Sequence, residues 1–223
     1  MDLIKYSDII WDWNGTLLND VKLCSEIMNN LLSSRSLPPL SIIKYKEIFT
    51  FPVKEYYIKA GHDFTNESFE NIGADFMDEY EVKKSNCKLF PYSTTVLQKI
   101  QSLNIRQHLL SAYKQKNLVE FIENYGISKY FTLIRGLEHI YADDKLEIGK
   151  ELLKDISADG MNSDTLLIGD TIHDFEVANE LGADCILIAE GHQNIERLQK
   201  LNIPVLKNLE ELYNILNKEG NHF

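Results

Sequence analysis

The sequence predicts an α/β fold: a doubly wound parallel sheet whose first strand is followed by an all-helical insert. Over residues 89–223, short β-branched runs alternate with helical segments, which is typical of a parallel sheet covered by helices. Over residues 18–88, strand-like runs are absent and apolar residues recur at helical spacing. We therefore expect a β/α core made of residues 1–17 and 89–223, with residues 18–88 forming a helical cap.

The individual elements follow from the same patterns, taken in chain order. The apolar run at residues 9–11 predicts the first strand, which ends at Asp12. Apolar residues mark one face of each of two helices in the insert: Leu23, Ile27 and Leu31, and Phe69, Ile72, Phe76 and Tyr80. The elements predicted after Phe90 are helix 93–103, strand 106–110, helix 115–125, strand 131–134, helix 144–156, strand 165–168, helix 174–181 and strand 185–189.

Composition excludes several classes of protein. Of the 223 residues, 44% are apolar and 10% aromatic, which is typical of a soluble globular chain. No apolar run approaches the ~20 residues that span a bilayer, and the first residues lack the order of a signal peptide, so a cytoplasmic location is expected. A formal net charge of -11 argues against nucleic acid or an anionic membrane as partner. Cys24, Cys87 and Cys185 are widely spaced and suggest buried thiols rather than a disulfide framework.

Polar side chains fall at or beyond the predicted carboxyl ends of several strands. Asp12, Ser111 and Asp170 each follow an apolar run directly. Lys145 lies in the loop beyond the strand at 131–134, and Asp174 opens the helix that follows Asp170. Because ligands bind beyond the carboxyl ends of strands in open parallel sheets, we expect these groups to converge on one rim.

Each of these residues also has a structural explanation when taken alone. Asp170 and Asp174 suit a helix N-terminus, where carboxylates favour the helix dipole. Ser111 could cap the helix after it, and most lysines are solvated. These separate explanations do not predict the ordered set, which favours a reaction centre.

The set resembles the four ordered motifs of the haloacid dehalogenase superfamily. The residues that carry the resemblance are DWNGTL at 12–17, Ser111, Lys145 and GDTIHDFEVANELGAD at 169–184. The insert is similar to the cap of the phosphoglycolate phosphatase and β-phosphoglucomutase branch. The resemblance covers most of the chain and implies a Rossmann-like core and a phosphatase that hydrolyses a small phosphorylated metabolite, as a monomer or homodimer.

The resemblance also implies a mechanism. Asp12 would be a nucleophile that forms an aspartyl-phosphate, which water then hydrolyses. Mg2+ would be bound by Asp12, the backbone carbonyl of Asn14, Asp170 and Asp174, because this ion prefers hard oxygen ligands. Lys145 would offset the charge of Asp12 and of the transferring group.

The phosphate-binding groups implied by the same resemblance are Ser111, the following Ala112 and Lys145. A hydroxyl, a backbone N–H and an ammonium are all suited to phosphoryl oxygens. Gly15 would permit the chain to turn sharply just after the nucleophile.

Asn14 departs from the family pattern, in which an aspartate two residues after the nucleophile protonates the leaving oxygen. An amide cannot exchange that proton at neutral pH, so an acid/base contribution of roughly 10²- to 10⁴-fold is expected to be missing. Three consequences compete: a slow phosphatase or one that needs good leaving groups, an enzyme that borrows an acid from the cap or substrate, and a phosphometabolite-binding protein.

Other activities of the superfamily stay open or are excluded by single residues. Dehalogenases lack the Gly-Asp of the fourth motif, which is intact here at Gly169 and Asp170. Phosphonoacetaldehyde hydrolases carry DWAGT and a Schiff-base lysine in the cap, for which Lys54 is the candidate. Three histidines, His62, His173 and His192, could donate protons: a structural role is favoured for His173 within the fourth motif, and His62 in a cap turn stays a candidate.

Overall fold

The computed structural model describes residues 2–137, 145–157 and 164–219. The strands in these ranges are β1 Asp8–Trp11, β2 Leu18–Asn19, β3 Lys88–Leu89, β4 Arg106–Lys114, β5 Leu133–Leu137, β6 Thr165–Gly169, β7 Asp184–Ile188 and β8 Val205–Leu206. The α-helices are α1 Val21–Ser34, α2 Ile42–Ile48, α3 Val53–Ala60, α4 Phe69–Lys83, α5 Ser93–Ser102, α6 Gln115–Asn124, α7 Lys145–Ser157, α8 Ile172–Leu181, α9 Ile195–Leu198 and α10 Leu209–Glu219.

A six-stranded sheet forms the centre of the molecule, in the order β5-β4-β1-β6-β7-β8. Every neighbouring pair in it is parallel, and β1 lies between β4 and β6. All four residues of β1 are buried, as expected for a parallel strand covered by helices on both faces. The predicted fold class, a doubly wound parallel α/β sheet, is confirmed.

The β1 side chains alternate between two apolar layers. Ile9 and Trp11 join the layer that also contains the buried residues of α1, α5 and α10. Ile10 joins the other layer, which includes Leu110 and Leu167. Since Asp12 follows β1 directly, packing on both faces fixes the direction in which the chain presents this residue.

Helices α1 to α4 follow β2 and precede β3, and these two short strands pair antiparallel. Leu18 pairs with Leu89 and Asn19 with Lys88. The chain therefore leaves the sheet layer and returns to it at one place. Within the helical segment, α1 and α4 pack together through buried residues that include Ile27, Leu31 and Ile72.

Several element boundaries differ from the prediction. The strand predicted at 106–110 continues as β4 to Lys114, with an irregular register between Leu110 and Lys114, so Ser111 lies within the strand rather than after it. The helix after Asp170 begins at Ile172, so Asp174 is in its first turn and does not open it. Lys145 is the first described residue of α7 rather than part of a loop, and the predicted helix start at Asp144 lies outside the described residues.

Other elements were not predicted at all. The pair β2 and β3, strand β8 and helix α10 have no counterpart in the sequence-based assignment.

All three cysteines are free thiols; Cys24 and Cys185 are buried and Cys87 is partly buried. None of the helices in the described ranges combines the length and the apolar character needed to cross a membrane.

Candidate active site

Three carboxylates meet where β1 and β6 end. Asp12 follows β1, Asp170 follows β6, and Asp174 lies in the first turn of α8. One oxygen of each lies within 4.8 Å of the others, and all three side chains are buried. The predicted convergence of these residues is therefore observed, and we call Asp12, Asp170 and Asp174 the acidic cluster.

Lys145 is the cation of this site. Its ammonium donates a short hydrogen bond to Asp12 Oδ1 and another to Asp174 Oδ1 at 2.6 Å, although only 6% of the residue is exposed. Burial lowers the pKa of Lys145, but the charges of Asp12 and Asp174 outweigh it and the net shift is upward. The side chain is therefore a fixed positive charge.

Thr16 lies within the DWNGTL motif, was not predicted as a site residue, and joins two members of the cluster. Its hydroxyl oxygen lies 3.2 Å from Asp12 Oδ2 and 3.2 Å from Asp170 Oδ1. Together with Lys145, Thr16 contacts both oxygens of Asp12. The orientation of the Asp12 carboxylate is thus set from two sides.

Asp174 has a second, structural task at the start of α8. Thr171 and Asp174 form a reciprocal capping box: the Thr171 hydroxyl accepts from the Asp174 N–H, and Asp174 Oδ2 accepts from the Thr171 N–H at 3.0 Å. Its other oxygen accepts from Lys145. The structural and the functional interpretation of Asp174 therefore hold at the same time.

Negative charge exceeds positive charge in the cluster, and the pKa values of its carboxyl groups reflect this excess. Burial raises the pKa of Asp12 to about 6, with Lys145 opposing the rise and Asp174 adding to it. Burial also raises the pKa of Asp170 to about 8, with His192 opposing and Asp174 and Asp12 adding. Three hard carboxylates around one ammonium are a donor set that suits a divalent cation such as Mg2+.

A tight turn brings the chain past the cluster immediately after Asp12. Gly15 has φ +79°, and a Cβ there would collide with the His192 ring and the Asp170 carboxylate. A Cβ at Gly191 would likewise collide with Asp170. Glycine at these two positions lets the loop that carries His192 lie directly on the turn.

A further buried carboxylate, that of Asp20, lies beside this turn and accepts hydrogen bonds at both oxygens. Oδ1 accepts from the Gly15 N–H at 3.1 Å and faces His192 Nε2 at 3.2 Å; Oδ2 accepts from Asn14 Nδ2 at 2.8 Å, from the Tyr80 hydroxyl at 2.9 Å and from Cys24 Sγ at 3.5 Å. Burial raises the pKa of Asp20, but His192 and the hydrogen bonds outweigh it and lower the pKa overall. Asn14 is therefore hydrogen-bonded to a buried carboxylate that lies six residues later in the chain.

Ser111 and Ala112 lie at the same end of the sheet, and no hydrogen bond within the described ranges joins either of them to the acidic cluster. The register pairs Trp11 with Leu109, so Ser111 is two residues further along β4 than the partner of Trp11. Ser111 is buried, and its hydroxyl oxygen accepts from the Tyr113 N–H at 3.1 Å instead of capping α6. Ala112 is exposed.

The histidines and Lys54 occupy different surroundings. His192 belongs to the site through Asp170 and Asp20: its backbone N–H donates to Asp170 Oδ2 at 2.6 Å, and its Nε2 faces Asp20 Oδ1. Its Nδ1 lies 2.8 Å from the Tyr45 hydroxyl. His62 is buried against Tyr57 in the helical segment, and His173 stacks on Phe51. The exposed Lys54 lies over the Phe64 ring at 5.5 Å, and its described contacts include no member of the acidic cluster.

Comparison with known proteins gives a consistent result. The family model described as haloacid dehalogenase-like hydrolase matches residues 9–188. A phosphoglycolate phosphatase of Rhodobacter capsulatus is 23% identical over 192 residues, which cover 83% of this chain and 85% of the relative. Among solved structures, one called a predicted phosphatase, from Clostridium acetobutylicum, superimposes with a TM-score of 0.77 at 16% identity, covering 96% of this chain and 99% of that one. A haloacid dehalogenase-like family hydrolase of Streptococcus pneumoniae gives a TM-score of 0.73 at 18% identity, covering 96% and 100%.

The chain belongs to the haloacid dehalogenase-like hydrolase family, since the family model matches most of its length. It is a hydrolase with the α/β fold of that family. The family resemblance recognised in the sequence motifs is thereby confirmed.

Proposed function

We propose that the protein is a Mg2+-dependent phosphatase that hydrolyses a small phosphorylated metabolite through an aspartyl-phosphate on Asp12. The observation that supports this most strongly is the buried excess of carboxylates over ammonium around Asp12. A phosphate ester brings more negative charge, so its approach requires a further cation. An acidic cluster that needs a divalent ion before it can accept its substrate is the arrangement that such a mechanism demands.

The residues present fit such an ion. Asp12, Asp170 and Asp174 would hold it, together with the backbone carbonyl of Asn14, and all of these donors are oxygen atoms. When bound, Mg2+ would neutralise the phosphoryl oxygens and so permit attack by a carboxylate.

Asp12 is prepared for attack by its two neighbours. Lys145 at Oδ1 stabilises the ionised form, and Thr16 at Oδ2 fixes the plane of the carboxylate. In the first step one Asp12 oxygen bonds to phosphorus and the ester P–O bond breaks, with the electron pair leaving on the substrate oxygen, which takes up a proton from solvent water. In the second step water bonds to phosphorus, the bond to Asp12 breaks, and phosphate is released.

We assign the remaining phosphoryl oxygens to Ser111, the Ala112 N–H and Lys145. The register of β1 and β4 supports this assignment, because it brings Ser111 and Ala112 to the same edge of the sheet as Asp12. The irregular register between Leu110 and Lys114 lies at this point and alters the direction of the backbone N–H groups.

Residues 18–88 are proposed to act as the cap that covers the site. Three contacts hold the region around α2 against the loop that carries His192. They are Tyr45 hydroxyl to His192 Nδ1 at 2.8 Å, Lys46 Nζ to the Glu190 carbonyl at 2.8 Å and Arg197 Nη1 to the Phe49 carbonyl at 2.6 Å. We therefore expect the substrate to bind between the helical segment and the sheet edge, where side chains of the segment would select it.

The test is a screen of phosphorylated metabolites with and without Mg2+, beginning with phosphoglycolate because of the Rhodobacter capsulatus relative. Aryl, acyl and alkyl phosphates should be compared in parallel. Without an acid at position 14, alkyl phosphates should be hydrolysed roughly 10²- to 10⁴-fold more slowly than aryl or acyl phosphates. Metal-independent turnover, or absence of turnover with every phosphate, would refute the proposal.

Phosphonoacetaldehyde is the control substrate in the same screen. If Lys54 formed a Schiff base, borohydride would trap the substrate on it. The contact of Lys54 with Phe64 leads us to expect no trapping.

A further inference from the structure

The orientation of the Asn14 amide is determined by the chemistry of Asp20. An ionised carboxylate only accepts hydrogen bonds, so it is the amide nitrogen that must face it. Asn14 Nδ2 lies 2.8 Å from Asp20 Oδ2 and 2.8 Å from the Tyr80 hydroxyl, which itself donates to Asp20. Both amide protons are thereby used by buried neighbours.

The amide oxygen of Asn14 is not engaged by these two neighbours. Within the described ranges no hydrogen bond is made to Asn14 Oδ1, yet this atom is not among the fully buried polar atoms that lack a partner. Asp20 and Tyr80 are 1% and 3% exposed, whereas Asn14 is only partly buried. The open side of Asn14 is therefore its oxygen side.

Asp20 also explains why position 14 holds an amide. A carboxylate at position 14 would place a second negative charge beside Asp20 Oδ2, where the amide nitrogen now lies at 2.8 Å. It would also remove a donor from a carboxylate that is 1% exposed. Asp20 carries the negative charge of this hydrogen-bonded pair, and Asn14 is its neutral donor.

We propose that Asp20 is a positioning residue that holds Asn14 with its amide oxygen toward the reacting groups, where it accepts a hydrogen bond from the water that hydrolyses the aspartyl-phosphate. This inference rests on the proposed function. The water oxygen bonds to phosphorus as the bond to Asp12 breaks, and a water proton passes to the departing phosphate. Asn14 orients the water in this step and exchanges no proton.

The kinetic test combines Asn14→Ala with Asp20→Asn, using an aryl phosphate and Mg2+. Asparagine at position 20 can donate as well as accept, so it no longer dictates the orientation of Asn14. Each single change should lower kcat by roughly 10- to 100-fold. Because Asp20 acts through Asn14, the double variant should be no slower than Asn14→Ala alone. Losses that multiply in the double variant would overturn the proposal.

Asn29 provides the matched control for this cycle. Its amide is also partly buried and fixed at both ends, by the Leu40 carbonyl at 2.9 Å and the Leu40 N–H at 2.7 Å. Asn29→Ala should leave kcat unchanged and should leave the effect of Asp20→Asn undiminished. A similar suppression by Asn29→Ala would mean that the cycle reports general loosening, and the proposal would be rejected.

A second test needs no activity and exchanges the two groups. Asn14→Asp should raise the unfolding equilibrium constant about tenfold or more, and adding Asp20→Asn should bring it back to within about threefold of the parent, because one carboxylate again meets one amide. If the parent hydrolyses no phosphate, the proposed function fails and the role of Asn14 in orienting water fails with it, whereas the exchange still tests the pairing of Asp20 with Asn14. If a single variant does not fold, folding of the exchanged variant supports the pairing. An exchanged variant that is as unstable as the combined single changes, or unfolded, overturns it.

Discussion

The two ends of strand β1 carry two buried aspartates with opposite electrostatics. Asp8, at the start, is held by Arg106 Nε at 2.8 Å, by His108 Nε2 at 2.9 Å and by the Ser7 hydroxyl at 2.9 Å. Burial acts to raise the pKa of Asp8, but these hydrogen bonds outweigh it and lower the pKa to about 2. Asp12, at the other end, has its pKa raised to about 6 although it contacts Lys145.

Burial acts to raise the pKa of both carboxyls, and the balance of neighbouring charge decides how strongly that rise is opposed. Asp8 is one carboxylate facing a guanidinium and an imidazole, so its charge is neutralised within the fold. Asp12 shares a single ammonium with Asp174 and lies beside Asp170. Loss of a buried carboxylate that its own surroundings neutralise destabilises the fold, because its partners are left unpaired, whereas a group left with excess charge is suited to binding a cation or reacting.

The largest predicted effect separates the two aspartates directly. Asp12→Asn should lower phosphatase turnover by roughly 10⁴-fold or more, because it removes the nucleophile. The free energy of unfolding should not fall, since one of three crowded carboxylates loses its charge. Turnover and urea denaturation measure these two quantities. Asp8→Asn is the control and should keep the turnover of the parent. An equal loss of activity in both variants would contradict the different roles assigned to Asp8 and Asp12.

Removal of the metal should come next in size. Chelation, or Asp170→Ala, should lower turnover by roughly 10³-fold, because the phosphoryl charge is then no longer neutralised. Titration calorimetry should show Mg2+ binding in the parent and its loss in Asp170→Ala. Asp184→Ala is the matched control, because Asp184 is a carboxylate paired with Lys5 at 2.9 Å outside the cluster. Unchanged Mg2+ binding after Asp170→Ala would contradict the assigned ligand set.

Substitution of Asp8 should affect the free energy of unfolding rather than turnover. Asp8→Asn should cost roughly 3 kcal/mol of unfolding free energy at neutral pH, because Arg106 and His108 lose their buried partner. Since the pKa of Asp8 is depressed, its contribution is present above the unfolded pKa near 4 and is lost as pH falls toward 2. The parent should lose about 2 kcal/mol relative to Asp8→Asn over that interval. Parallel denaturation curves for the two proteins across this range would show that Asp8 is not the group responsible.

The smallest effect compares the hydroxyls that accompany the two aspartates. Thr16→Val should lower turnover about tenfold, with stability little changed, because Asp12 Oδ2 loses an orienting partner. Ser7→Ala removes the corresponding hydroxyl at Asp8 and should leave turnover unchanged. Equal kinetic effects from both changes would mean that neither hydroxyl acts through its aspartate.

Sequence patterns predicted the acidic cluster because its geometry follows from a simple rule. Parallel strands end at one edge, so an aspartate after each of two adjacent strands is brought close to the other without any knowledge of packing. Lys145 followed from the order of the motifs. Ser111 was expected directly after its strand but lies within it, because β4 continues to Lys114.

The surroundings of Asn14 could not be predicted in this way. Asp20 and His192 are separated by 172 residues, and Tyr80 reaches the same carboxylate from α4. Such contacts depend on how the helical segment packs on the sheet edge, which no local periodicity specifies. Strand β8 escaped for another reason, because its two residues are too few to form a pattern.

The pairing of β2 with β3 bears on how this fold diversifies. Leu18 lies beside Leu89, and the Phe90 N–H donates to the Leu17 carbonyl at 2.9 Å, so both ends of the helical segment are joined at one point. A segment with adjacent ends can be lengthened, shortened or replaced while the sheet keeps its register, because the separation that it must bridge does not change. If this segment is the cap proposed above, new substrate preferences would arise by its exchange, while the proposed reacting groups at the sheet edge are inherited intact.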